Sequence, residues 1–134
     1  MHFEDFNFLA ILAAAIANMA VGAIWYAPPV MGNRWMSLAG LKEDELVAPV
    51  PAMIKAFLSG LFVATTLAML IVLTRHTGVK LGAMFGGGLA LLCVAPAILP
   101  NYLFEGRPTK LWLIHIGNTT LAFIAMGAII GAWH

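Results

Sequence analysis

Four long apolar stretches constrain this chain more than any other feature, at residues 7–27, 52–73, 79–98 and 111–133. An α-helix rises about 1.5 Å per residue, so about 20 apolar residues are needed to cross roughly 30 Å of hydrocarbon. No Asp, Glu or Arg lies within these stretches, and the only lysines, Lys55 and Lys80, sit near span ends. A backbone surrounded by lipid must satisfy its own hydrogen bonds, and four separate runs of this length do so as helices. The expected fold is therefore all-α: one domain over residues 1–134, an integral membrane four-helix bundle.

Composition agrees. Of 134 residues, 62% are hydrophobic and only 10% are charged, where soluble domains carry about 25% charged residues. A chain this short cannot hide so much apolar surface from water. The net charge of +1 gives no basic face for nucleic acid, so none is expected as a partner. Cys93 is the single cysteine, which excludes an intramolecular disulfide or a CxxC redox pair. The opening "MHFEDFNFLA" is acidic where a signal peptide is basic, and reads as the start of a retained first span.

Lys and Arg favour the cytoplasmic side of a membrane. Arg34, Lys42, Lys55, Arg107 and Lys110 fall on the side of the first and third loops, against Arg75 and Lys80 on the side of the termini. The expected topology has both loops cytoplasmic and both termini outside. In the long first loop, Pro28 and Pro29 stop the first helix because neither can donate to the helical ladder. "GNRWMSLAG" then mixes apolar residues with Arg34, the pattern of a short segment lying in the interface. "LKEDEL" follows as a solvated helical stretch. Pro96 predicts a kink in the third helix.

Small residues recur four apart: Ala13 and Ala17; Gly82 with Gly86; Gly127 and Gly131. Such faces let helix backbones approach closely. They serve packing within one chain or self-association equally well, and a homo-oligomer is expected.

The polar residues concentrate at one depth. Asn18, Ser59, Cys93, His115 and Asn118 all fall in the half of the spans nearer the first and third loops. His115 and Asn118 are three apart and share a helix face. Polar groups inside a membrane usually face the bundle interior or a cavity. "NYLFEGRPTK", residues 101–110, closes the same end and reads as a loop, with Pro108 fitting the first position of the fourth helix. The free N–H groups of helix starts, with Arg107, Lys110, Lys55 and Arg34, suit an anion such as a lipid phosphate or small carboxylate. Trp25, Tyr26, Trp35 and Tyr102 would wall such a site beside Glu105, with Asn18, His115 and Asn118 lining a pocket beneath. The same residues also suit topology signals and an aromatic belt. Asn18 and Asn118 equally suit an interhelical hydrogen bond.

Other chemistry lacks its parts. Bis-histidine haem needs a second imidazole on a facing span, and none exists. His2, His76 and His134 share the outer side but lie near termini and a loop; neither a metal nor a cofactor is expected. No intramembrane carboxylate is available for proton coupling.

"GAIWYAPPVMGNRWMSLAGL" (22–41), "NYLFEGRPTKLWLIHIGN" (101–118) and "MGAIIGAW" (126–133) resemble the motifs of a bacterial membrane family catalogued as domain of unknown function 1761. One departure is Ala27 followed by Pro28 and Pro29, where a hydroxyl residue and a single proline are expected. The resemblance covers nearly the whole chain. It implies a small four-span protein of a bacterial inner membrane, and no activity comes with it. Two motif stretches on one side are compatible with one composite site.

The leading expectation is a non-enzymatic binding or transport-type protein. It would hold a lipid headgroup or small solute, with Arg107 and Lys110 attracting the anion. The alternative is a structural or assembly subunit of a larger membrane complex. A lipid-modifying enzyme using His115 or Glu105 as acid or base ranks below both, because no nucleophile–base–orienter set can be assembled.

Overall fold

The computed structural model describes residues 2–42, 49–75 and 77–133. Among them there is no strand. The helices are α1 (Phe8–Trp25), α2 (Asn33–Ala39), α3 (Pro49–Thr74), α4 (Val79–Leu89), α5 (Ala95–Phe104) and α6 (Thr109–Ala132). Four helical segments are long and apolar enough to cross a membrane: Phe8–Trp25, Val50–Thr74, Val79–Phe104 and Thr109–Ala132. Most of the expected "LKEDEL" helix, residues 43–46, lies outside the described residues.

The third span departs from expectation. It runs to Phe104 instead of ending near residue 98, so the first four residues of "NYLFEGRPTK" are helix and only its second half is loop. Pro96 does not break the span. One wide π-turn over Ala90–Val94 joins α4 to α5, and the extra residue makes room for the proline ring against the preceding turn. Pro100 then sits inside α5. Beside it the Trp112 indole N–H donates to the Ala95 carbonyl at 3.0 Å, tying this irregular stretch to α6. Pro108 is the N-cap of α6 rather than its first helical residue.

The helices meet most closely along α4 and α6. A Cβ on Gly82 would fall on the Gly127 carbonyl, one on Gly86 on the Phe123 carbonyl, and one on Gly131 on the Gly78 carbonyl. Glycine alone permits this approach. The Gly78 N–H also donates to the Gly131 carbonyl at 2.8 Å. These glycines therefore close a seam within the chain.

The core lies at the end holding the chain termini. Ala10, Ile11 and Ala14 of α1 pack with Ala64, Leu67, Ala68 and Ile71 of α3 and with Met126 and Ile130 of α6. Asn7 fastens the same end, because its side-chain oxygen caps α1 at Ala10 N–H (3.1 Å) and its amide donates to the Trp133 carbonyl (3.3 Å). At the opposite end α3 is exposed on every face from Val50 to Ala56. Outward side chains such as Phe62 (78% exposed) and Leu92 (83% exposed) give the bundle an apolar exterior, as lipid contact requires.

Candidate functional site

The two polar sequence motifs converge at the loop end, beginning where α1 stops. The Trp25 indole lies over Gly117, where an added Cβ would come within 2.6 Å of the ring. Its N–H donates to the Ile114 carbonyl at 2.9 Å. The next residue, Tyr26, places its hydroxyl 2.5 Å from His115 Nδ1. In the tautomer with the proton on Nε2, the phenol donates to Nδ1. Burial, with a smaller contribution from Tyr102, pushes the Tyr26 phenol up to about 12. It is a neutral group at physiological pH. Trp35 of α2 meets the Tyr26 ring edge-on, with centroids 5.1 Å apart, the geometry that the ring quadrupoles favour.

The second motif reaches His115 from the other side through Tyr102, at 6.2 Å between centroids. Tyr102 is only 6% exposed. Gly106, at φ 69°, ends α5 in the left-handed conformation. The Arg107 N–H returns to the Tyr102 carbonyl at 2.9 Å, the six-residue loop of a Schellman motif. That turn lays the Arg107 guanidinium over the Tyr102 ring, 4.2 Å from its centroid. Arg107 also pairs with Glu105 at 3.6 Å; both are solvent-accessible, so the pair contributes little. Tyr26, Trp35, Tyr102, His115 and Arg107 thus form one continuous aromatic and cationic cluster joining α1, α2, α5 and α6.

Beneath it, Asn118 Oδ1 is buried with no hydrogen-bond partner among the described residues. It faces α1, 4.0 Å from where a Gly22 Cβ would stand. Asn18 lies against α3 instead, its amide nitrogen 2.9 Å from the position of a Gly60 Cβ. No hydrogen bond joins Asn18 to Asn118 in the structure.

Lys110 faces a different space. A groove of about 300 Å³ between α2 and the start of α6 is lined by Trp25, Met31, Arg34, Leu38, Lys110, Leu113 and Ile114. A second hollow of about 450 Å³ shares Arg34, Leu38 and Lys110 and adds Asn33 and Ser37. Two cations from different elements therefore stand over one apolar floor. Neither Arg34 nor Lys110 makes an ion pair among the described residues. The Schellman turn at Gly40, where the Leu41 N–H reaches the Met36 carbonyl at 2.9 Å, ends α2 and fixes its length.

The ten candidate residues divide accordingly. Tyr26, Trp35, Tyr102, His115, Arg107 and Glu105 belong to the cluster, and Lys110 and Trp25 to the groove, while Asn118 and Asn18 lie deeper. Lys55 stands apart on exposed α3 and lines neither space. The sequence did not mark Met31, Leu38, Leu113 and Ile114 as groove walls. Leu38 follows Arg34 by four residues on α2, and Leu113 and Ile114 follow Lys110 by three and four on α6; that spacing is the available signal. His76 and His134, weighed for an outer metal site, lie outside the described residues.

The architecture defines a small bundle of membrane-crossing length with an aromatic and cationic cluster at one end. Residues 9–131 match the family described as "Protein of unknown function (DUF1761)", and the chain belongs to that family. No curated protein and no solved structure matches it.

Proposed function

We propose that this is a non-enzymatic membrane binding protein that holds a phosphate-type anion, from a lipid headgroup or a soluble phosphate ester, between Arg34 and Lys110. The observation that carries this reading is the convergence of two cations, free of carboxylate partners among the described residues, over the floor made by Trp25, Leu38 and Ile114. A phosphate is satisfied by charge-assisted donors from both sides, and the floor accepts the apolar part of a lipid. Arg107, engaged with Tyr102 and Glu105, acts in this reading as part of the clamp. The Tyr26–His115 bond and the Trp25–Ile114 bond hold the α1–α2 corner against α6 and so fix the spacing of the two cations.

Residence in a bacterial inner membrane with the groove on the cytoplasmic side is part of the proposal, supported by the excess of Lys and Arg at that end. So is self-association. It would use small residues outside the α4–α6 seam, such as the half-buried Ala13 and Ala17 of α1.

The test is calorimetric titration of the detergent-solubilised chain with short-chain phosphatidylglycerol and, separately, with inorganic phosphate. Saturable binding of either whose stoichiometry falls by one site per chain in the Arg34→Gln/Lys110→Gln variant supports the reading. The arm that saturates identifies the source of the phosphate. Equal binding by the double variant and the unaltered chain would refute it.

A further inference from the structure

The end of the bundle opposite the groove carries two adjoining hollows that the proposed function does not use. One, of about 590 Å³, is lined by His2, Asp5, Arg75, Thr77 and the last turn of α3. The other, of about 530 Å³, shares His2 and runs along Phe3, Phe6, Phe8, Ile11, Thr65 and Met69. Both lie within the range of about 300–1,000 Å³ typical of small-molecule sites.

Their arrangement follows the axis of α3. Arg75 sits just past the helix end and Thr65 ten residues earlier, about 15 Å deeper at the helical rise. The shallow hollow is polar and the deep one apolar. The Thr65 hydroxyl is already spent on the Leu61 carbonyl at 2.7 Å, so it places no unsatisfied donor in the deep hollow. This is the layout of an amphiphile standing upright in a membrane leaflet.

The charges select its head. Asp5 and Arg75 both line the polar hollow, yet they form no ion pair with each other. One Asp5 carboxylate oxygen accepts the His2 backbone N–H at 2.7 Å, which holds the carboxylate in place. The carbonyl end of α3 adds negative partial charge beside Asp5. Arg75 has φ 56°, the one left-handed non-glycine residue described, a conformation that an arginine seldom adopts. A simple anion would meet Arg75 but be repelled by Asp5, and a purely apolar molecule would use neither.

We propose that the two hollows form one site for a zwitterionic phospholipid, with its amine at Asp5, its phosphodiester at Arg75 and an acyl chain along the phenylalanines.

The experiment titrates the full chain, in micelles and carrying Arg34→Gln/Lys110→Gln to remove the loop-end groove, with short-chain phosphatidylethanolamine and with phosphatidylglycerol. Failure here is thereby separate from failure of the groove reading. The expected result is a preference for phosphatidylethanolamine of roughly twofold to fivefold, the size of one exposed charge contact. Asp5→Asn should reduce it to parity, and Arg75→Asn, which keeps a residue tolerant of positive φ, should weaken both lipids. Met69→Trp obstructs the deep hollow without touching a charge and should weaken both lipids whatever happens at the N-terminal turn. No lipid binding, no preference, or a preference unchanged in Asp5→Asn would overturn the proposal.

Discussion

Replacing Gly82 by alanine tests the seam that holds the bundle shut. The added methyl would fall on the Gly127 carbonyl, which is backbone and cannot rotate aside. The two helices must separate until the contact reaches an ordinary distance. A gap of about 0.5–1 Å forfeits a quarter to a half of each dispersion contact along the seam, and overpacking of this kind costs about 1–3 kcal/mol. The Gly78 N–H to Gly131 carbonyl bond spans the same seam, and its loss adds about 1 kcal/mol. The expected destabilisation is therefore about 2–4 kcal/mol. Gly88 supplies the internal control. It lies on the same helix with open space around an added Cβ, so Gly88→Ala should be neutral or stabilising by about 0.5–1 kcal/mol. Unfolding of both variants in mixed micelles, followed by tryptophan fluorescence, would show a difference of about 3 kcal/mol, roughly a hundredfold in equilibrium constant. Equal stability of Gly82→Ala and Gly88→Ala would refute the close-approach account of the seam.

Three further outcomes follow from the loop-end cluster. Gly117→Ala should displace the Trp25 ring, break its bond to the Ile114 carbonyl and cost about 1–3 kcal/mol, read as a shift in fluorescence and midpoint. Trp112→Phe leaves the Ala95 carbonyl without its indole donor; unfolding should show a loss of about 1 kcal/mol, and hydrogen exchange should quicken in α5. In Tyr102→Phe, Tyr26 is the only tyrosine left, and its absorbance titration at 295 nm should keep a midpoint above the ordinary 10.0, because burial is the larger cause of its rise to about 12. The sign for stability follows from that elevation. The neutral phenol is favoured in the fold, so the stabilisation is complete below pH 10.0 and lost as pH climbs towards 12 in the unaltered chain.

The spans were legible because lipid leaves the backbone no alternative to a helix, and the apolar runs of α1, α3 and α6 fix their places within a few residues. The sequence ends the third span at residue 98 because Pro100 and the polar Asn101 read as an exit. Nothing local reveals that a π-turn at Ala90–Val94 and the indole of Trp112, far along the chain, make those residues tolerable as helix. Small residues four apart were visible as packing faces, yet their partner was not, since the Gly82–Gly127 approach depends on the crossing of α4 and α6. Helical spacing puts His115 and Asn118 on one face, but that Tyr26 and Tyr102 both reach His115 depends on the fold. It could not show that Arg107 folds back onto Tyr102, which rests on the left-handed Gly106. Nor could it show that Arg34 and Lys110 line one groove, which depends on how α2 packs against α6.

The central claim is that Arg34 and Lys110 hold a phosphate-bearing ligand, and native mass spectrometry of the protein released from lipid nanodiscs tests it most directly. The account expects a fixed extra mass per chain, fragmenting to a phosphate-containing species, with one such mass fewer per chain in Arg34→Gln/Lys110→Gln while the oligomer number is unchanged. A chain that carries no such mass, or a double variant that retains it at the same stoichiometry, would contradict the account.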